Sequence, residues 1–176
     1  MLFRSCMTDD TQKVTRTGLI LAATLILQGL RLVIPIPPQI SLFLIGSLVN
    51  ACLITAVLAV DRRAGFVVAA CTPIFAWLEG MLPFVLFVFP VAIGNGVYVY
   101  CAWRWQKHGL PALLVGALAK AATLYALFYL LFAGIEFPPA MRHLLLTAMS
   151  WPQIITGVIG ALLGLELSRY LSHRHE

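Results

Sequence analysis

Residues 64–103 read AGFVVAACTPIFAWLEGMLPFVLFVFPVAIGNGVYVYCAW, and Glu79 is the one charge in these 40 positions. A helix crossing a membrane needs about 20 predominantly apolar residues, so the stretch is long enough for two crossings. Glu79-Gly80 and Pro83 divide it. The expected spans are residues 64–78, or a little beyond, and 86–103, with Pro73 and Pro90 as kinks. On the N-terminal side the charged turn Asp61-Arg62-Arg63 is so short that the preceding apolar run, residues 40–60, must be an antiparallel neighbour. An earlier run, 18–34, stops at Pro35-Ile36-Pro37-Pro38-Gln39, whose prolines cannot continue a helix. On the other side, the polar turn 104–109 leads to a run at 110–133. A loop at 134–140 with Glu136 and Pro138-Pro139 follows, then a last run at 141–167.

These runs predict an all-α polytopic membrane protein with six transmembrane helices. Residues 17–167 form the bundle of a single integral-membrane domain, 1–16 an N-terminal segment and 168–176 a polar tail. At 176 residues, 61% hydrophobic and 11% charged, with mean hydropathy +0.93, the chain is too apolar for one soluble domain. Little length remains for a catalytic domain, and neither a G-x-x-x-x-G-K-[ST] phosphate loop nor an H-E-x-x-H metal motif occurs. The spans hold no paired carboxylates, no Ser/His pair and no metal constellation, so no enzyme, cofactor or metal is expected.

Net charge is +5, with the basic residues at the ends of apolar runs, a topology signal rather than a nucleic-acid footprint. Arg4, Lys13, Arg16, Arg62, Arg63, Arg104, Lys107, Arg169 and Arg174 fall on one side, against Arg31 and Arg142 on the other. Both termini are therefore expected in the cytoplasm. Lys13 and Arg16 precede the first run as in a secretory signal, but no small-x-small cleavage site follows, and a retained span is expected. Cys6, Cys52, Cys71 and Cys101 form no C-x-x-C pair and read as packing residues. No internal repeat supports an inverted-repeat transporter.

Polar side chains at bilayer depth are costly and mark either function or helix association. Lys120 lies about ten residues into the fifth run, near mid-membrane. It reads as an anion-binding or proton-linked cation, or as a lysine satisfied by carbonyls or amides in a packed bundle. A ligand anion, with the amides of Asn95 and Gln153, is its expected compensation, because the acids lie toward the ends of the spans. Gln28, Asn50, Asn95 and Gln153 fall at comparable depth and can tie helices together or touch a ligand, and Gly94 and Gly96 around Asn95 permit close approach. Glu79 beside Trp77, with Trp151-Pro152 breaking the last run, suits an aromatic floor with one carboxylate; Trp77 equally suits an interfacial belt. Tyr98, Tyr100, Trp103 and Trp105 read mostly as belt, Arg142 and His143 as interface anchor or anion capture, and His173-x-His175 with Glu176 as a weak metal motif.

With these residues in place, the chain resembles the substrate-binding S component of energy-coupling factor transporters, a family of vitamin-capturing membrane subunits. The resemblance rests on the length, the six spans with both ends inside, and the start of the first span, Lys13-Val14-Thr15-Arg16-Thr17-Gly18. It also rests on the outer loop from Arg31 to Gln39 and on Asp61-Arg62-Arg63-Ala64-Gly65, which is similar to the family's G-P-R-A-G turn. It implies capture of a small water-soluble vitamin or related micronutrient and delivery by movement of this subunit within the cell membrane of a bacterium or archaeon. A coupling membrane subunit and two cytoplasmic ATPase subunits would be its partners. The implied substrate residues are Asn95, Lys120, Trp151 and Gln153, to which the residue reading adds Glu79 and Trp77. Docking to the coupling subunit would use Gly18, Ala22 and Ala23, a G-x-x-x-A face where the family has an alanine pair.

A buried lysine with nearby aromatics suits an anionic, ring-containing solute, with thiamine-, biotin-, folate- and flavin-like compounds all open, and Cys71 or Cys52 a candidate for a corrinoid cobalt. The alternative is a six-span structural scaffold of the cell envelope, similar to MreD, which needs no polar centre.

Overall fold

The computed structural model describes residues 2–34 and 37–173, and no strand occurs among them. The side chains of Arg4, Cys6, Pro38 and His173, residues 35 and 36, and Arg174, His175 and Glu176 lie outside the described residues. Seven helices follow in order: α1 Leu2–Val33, α2 Pro38–Ala59, α3 Arg62–Leu78, α4 Val88–Arg104, α5 Leu110–Gly134, α6 Pro139–Ala148 and α7 Trp151–His173. Five helical stretches, Asp9–Val33, Gln39–Ala59, Val85–Arg104, Leu110–Gly134 and Pro139–Leu171, are long and apolar enough to cross a membrane. Helix α3 has 17 residues and is about 25 Å long.

Local chemistry sets the helix ends. Pro38 and Pro139 start α2 and α6, where a missing N–H breaks no helical bond. The Asp61 carboxylate accepts the Ala64 N–H at 2.8 Å and caps α3. Gly109, at φ +62°, turns the chain into α5, a conformation that L side chains rarely adopt. Pro90 falls in the first turn of α4, behind a 3-10 turn at Val85–Phe87, and so occupies a helix start rather than an interior kink. Pro73 does lie inside α3.

One boundary differs from the sequence expectation, and the expected break in the last run is located. Helix α1 begins at Leu2, because residues 2–17 contain neither proline nor glycine and the helix continues through the polar segment. The last run is two helices, parted at Met149 and Ser150. Pro152 has no N–H to offer the Ala148 carbonyl one turn back, and the Gln153 side-chain amide donates to that carbonyl at 3.2 Å instead.

Helix α2 is central, in contact with α1, α3, α4 and α7. Its seam with α7 is the tightest and runs along Gly160 and Gly164. A Cβ at Gly160 would collide with the Asn50 Cβ and lie 2.9 Å from both Ala51 N and Ser47 O; at Gly164 it would lie 2.7 Å from Ala51 O. Gly94 similarly admits Leu124, so one of the glycines flanking Asn95 serves close packing between α4 and α5. Helix α1 lies at the edge against α2 and α3, with Val14, Leu19 and Ile26 exposed.

Two apolar cores stack along the bundle. Toward the end carrying Arg62 and Arg63, Leu53, Ile54, Val68, Val99 and Leu113 are buried together. Toward the end carrying Glu79, Phe87, Phe128 and Phe132 join Phe84 and Phe137 in a ring cluster with centroids 5.1 to 6.0 Å apart.

Because backbone and Cβ atoms, not flexible tips, oppose Gly160, Gly160→Ala should destabilise the bundle by about 1–3 kcal/mol. Gly18→Ala, with no atom within 4 Å of the added carbon, should change stability by less than about 1 kcal/mol. Melting of both variants in mild detergent checks this contrast.

Candidate functional site

Between the two cores lies a polar layer. Lys120 faces the interior of α5 and is 4% exposed, with Ala117 of one core a turn before it and Leu124 of the other a turn after. Its Nζ donates to Asn50 Oδ1 on α2 at 2.6 Å, and Asn50 Nδ2 donates to Thr156 Oγ1 on α7 at 3.3 Å. The ammonium also lies 5.5 Å from the centroid of the Tyr98 ring on α4. An ammonium has three donors, and among the described residues this one meets one acceptor oxygen and one ring face.

Asn50 reaches Lys120 because α7 has glycine where α2 presses closest. Gly160 lets the Asn50 backbone sit against α7, and Gly157 accommodates Ala117 of α5. Tyr98 is fully buried and donates its hydroxyl to the Gly157 carbonyl at 2.6 Å. It is therefore a structural member of the layer rather than an interfacial belt residue. Nothing in its spacing from Tyr100 and Trp103 separates it from them; facing α7 does.

A second polar cluster joins α1, α3 and α4. Gln28 Nε2 donates to the Thr72 carbonyl at 3.1 Å, and Asn95 Nδ2 to Thr72 Oγ1 at 3.3 Å. Thr72 serves both through two separate acceptors, its carbonyl oxygen and its hydroxyl. At the end of α3, Arg31 donates to the Glu79 carbonyl at 2.8 Å, with Gln28 and Arg31 beside the Glu79 carboxylate. Three buried polar atoms there, Gln28 Oε1, Arg31 Nε and Glu79 Oε2, have no hydrogen-bond partner among the described residues.

The six candidate substrate residues are thus distributed. Lys120 belongs to the central layer and Asn95 to the Thr72 cluster, both buried. Gln153 serves the break between α6 and α7. Glu79 lies against α1, whereas Trp77 and Trp151 are exposed, Trp151 with its ring centroid 5.8 Å from that of Phe43. The rings gathered inside are phenylalanines, not the tryptophans. Gly18, Ala22 and Ala23 are exposed on α1. Cys52 and Cys101 are buried and Cys71 half-buried, all three free, and no cluster of three His, Cys, Asp or Glu occurs among the described residues.

No family model, curated protein or solved structure matches this chain. What the site can do therefore follows from its own donors and acceptors. Sequence reasoning passed over Thr72 and Thr156, the hydroxyls that carry both clusters, and the Gly157-x-x-Gly160-x-x-x-Gly164 pattern that marks the seam. That small-residue spacing is legible in the sequence.

The layer makes a quantitative demand. Asn50→Leu strands a buried ammonium and should cost about 3–5 kcal/mol. The double variant Asn50→Leu/Lys120→Met should cost less than the sum of the two singles, by about 1.5–3 kcal/mol. Unfolding of all four proteins in detergent measures this coupling, and additive losses would show that the Nζ–Oδ1 bond contributes nothing.

Proposed function

We propose that the chain is a solute-binding membrane subunit of the energy-coupling factor type. It takes up a small water-soluble vitamin or related micronutrient and delivers it by moving within the cell membrane, while separate cytoplasmic subunits hydrolyse ATP. The observation that carries this reading is Lys120, a lysine 4% exposed at mid-bundle whose ammonium meets one amide oxygen and one ring face among the described residues. Intramembrane charge is expensive and is retained where it handles a ligand or an ion. An anionic group on the solute would supply acceptors for the donors that Asn50 leaves unfilled, and the Tyr98 ring flanks the same ammonium. The phenylalanine cluster lies between Lys120 and the outer end, so admission of a solute parts α6 and the 3-10 turn from α5.

Two further features support the reading. The fold gathers Lys13 and Arg16 beside Ala59, and Arg62 and Arg63 beside Trp103, at one end of the bundle. By the preference of basic residues for the cytoplasm, both termini lie on that side. Gly18, Ala22 and Ala23 leave an open face on α1 where a helix of a coupling subunit can approach closely.

The second reading, a structural scaffold of the cell envelope, is favoured by the Lys120–Asn50–Thr156 chain of bonds, which ties three helices without a ligand. Mass spectrometry of small molecules that co-purify with the protein, followed by titration with the compound found, separates the two. As a binding subunit, Lys120→Met should lose roughly tenfold to a hundredfold in affinity, the worth of a charge-assisted hydrogen bond. A protein that retains no solute, and in which Lys120→Met alters melting alone, is a scaffold. Ala22→Leu should abolish uptake and leave solute affinity unchanged, and parallel loss of both would remove the docking role of α1.

A further inference from the structure

At the inner end of the bundle, a groove of about 520 Å³ opens over the turn between α2 and α3, lined by Leu58, Asp61, Arg62, Arg63, Trp103 and Gln106 among others. It adjoins a smaller one, of about 220 Å³, at Val60, where Lys13, Arg16 and Asp9 meet Ala59. Three properties of the larger groove bear on what it takes.

The first is charge. Arg62 and Arg63 are exposed, and the single acid, Asp61, is engaged as the cap of α3 through Ala64 N. The second is preorganisation. The Arg62 guanidinium lies 5.0 Å from the centroid of the Trp103 ring, which restrains its plane while leaving its edge N–H groups for an anion. The third is the floor. Leu58 and Val60, half-buried at the end of the apolar helix α2, give the groove an apolar wall beside the arginines. A soluble anion would use the arginines and leave that wall in water. A lipid uses both.

We propose that this groove binds an anionic phospholipid of the surrounding leaflet, its phosphate held by Arg62 and Arg63 and its glycerol and upper acyl chain against Leu58 and Val60. The site is independent of whether Lys120 meets a solute. It rests on the chain's lying in a membrane and on the grouping of these side chains.

The test compares phosphatidylglycerol with phosphatidylcholine of the same acyl chains, added to the delipidated full chain in detergent and counted by native mass spectrometry. The parent should retain phosphatidylglycerol preferentially. Arg62→Gln/Arg63→Gln should reduce that preference about thirtyfold, near fivefold for each cation at a headgroup site. Arg142→Gln/Arg169→Gln, which removes equal charge elsewhere, should leave it within about twofold. Should the first double variant fail to melt like the parent, the single variants Arg62→Gln and Arg63→Gln carry the same comparison. Equal loss in the control pair would mean diffuse surface charge and overturn the site. Displacement of phosphatidylglycerol by millimolar inorganic phosphate would mean a free-anion site and overturn the lipid assignment.

Discussion

A lysine ammonium enclosed halfway along an apolar bundle constrains everything around it. Lys120 cannot reach either end of α5, so its charge must be met where it stands. Asn50 meets it from α2, Thr156 steadies Asn50 from α7, and the Tyr98 ring closes the side toward α4. The arrangement needs α2 and α7 closer than ordinary side chains permit, and the glycines of α7 provide that approach. The two apolar cores are then held apart by this layer, one branched and aliphatic, the other built from phenylalanine rings.

The helical spans were legible because hydropathy and proline reveal where an apolar helix has to stop. The run at 40–60 is α2, Pro38–Ala59, and the run at 110–133 is α5, Leu110–Gly134, to within two residues. Where the signal was not hydropathy it failed at residues 2–17, which are polar yet helical, whereas Pro152 marked the break between α6 and α7 inside a continuous apolar run. The depth of Lys120 was legible from its position alone. Its partner was not, because Asn50, Asn95 and Gln153 are equivalent in depth and differ only in the helix face they occupy. Which face turns inward is decided by glycine placement on another helix more than a hundred residues away.

The two polar clusters differ in how completely their atoms are paired. The central layer binds three helices through consecutive hydrogen bonds. The cluster at the end of α1 and α3 leaves Gln28 Oε1, Arg31 Nε and Glu79 Oε2 buried without a hydrogen-bond partner among the described residues. Ordered water is the usual occupant of such a position. Helix α1 packs against α2 and α3 from the edge and is the least buried of the five long spans, which makes it the least firmly held of them.

The seam between α2 and α7 joins segments 106 to 109 positions apart in the chain. During synthesis α2 is complete long before α7 exists, so the most intimate interface of the molecule is the last that can form. Asn50 is synthesised before Lys120, but its approach to Lys120 depends on the glycines of α7, so the costliest residue of the chain gains its acceptor only when the last helix docks. The contacts of α2 with α1, α3 and α4, and of α4 with α5, need no residue of α7, so the last helix closes a bundle whose other interfaces are already available.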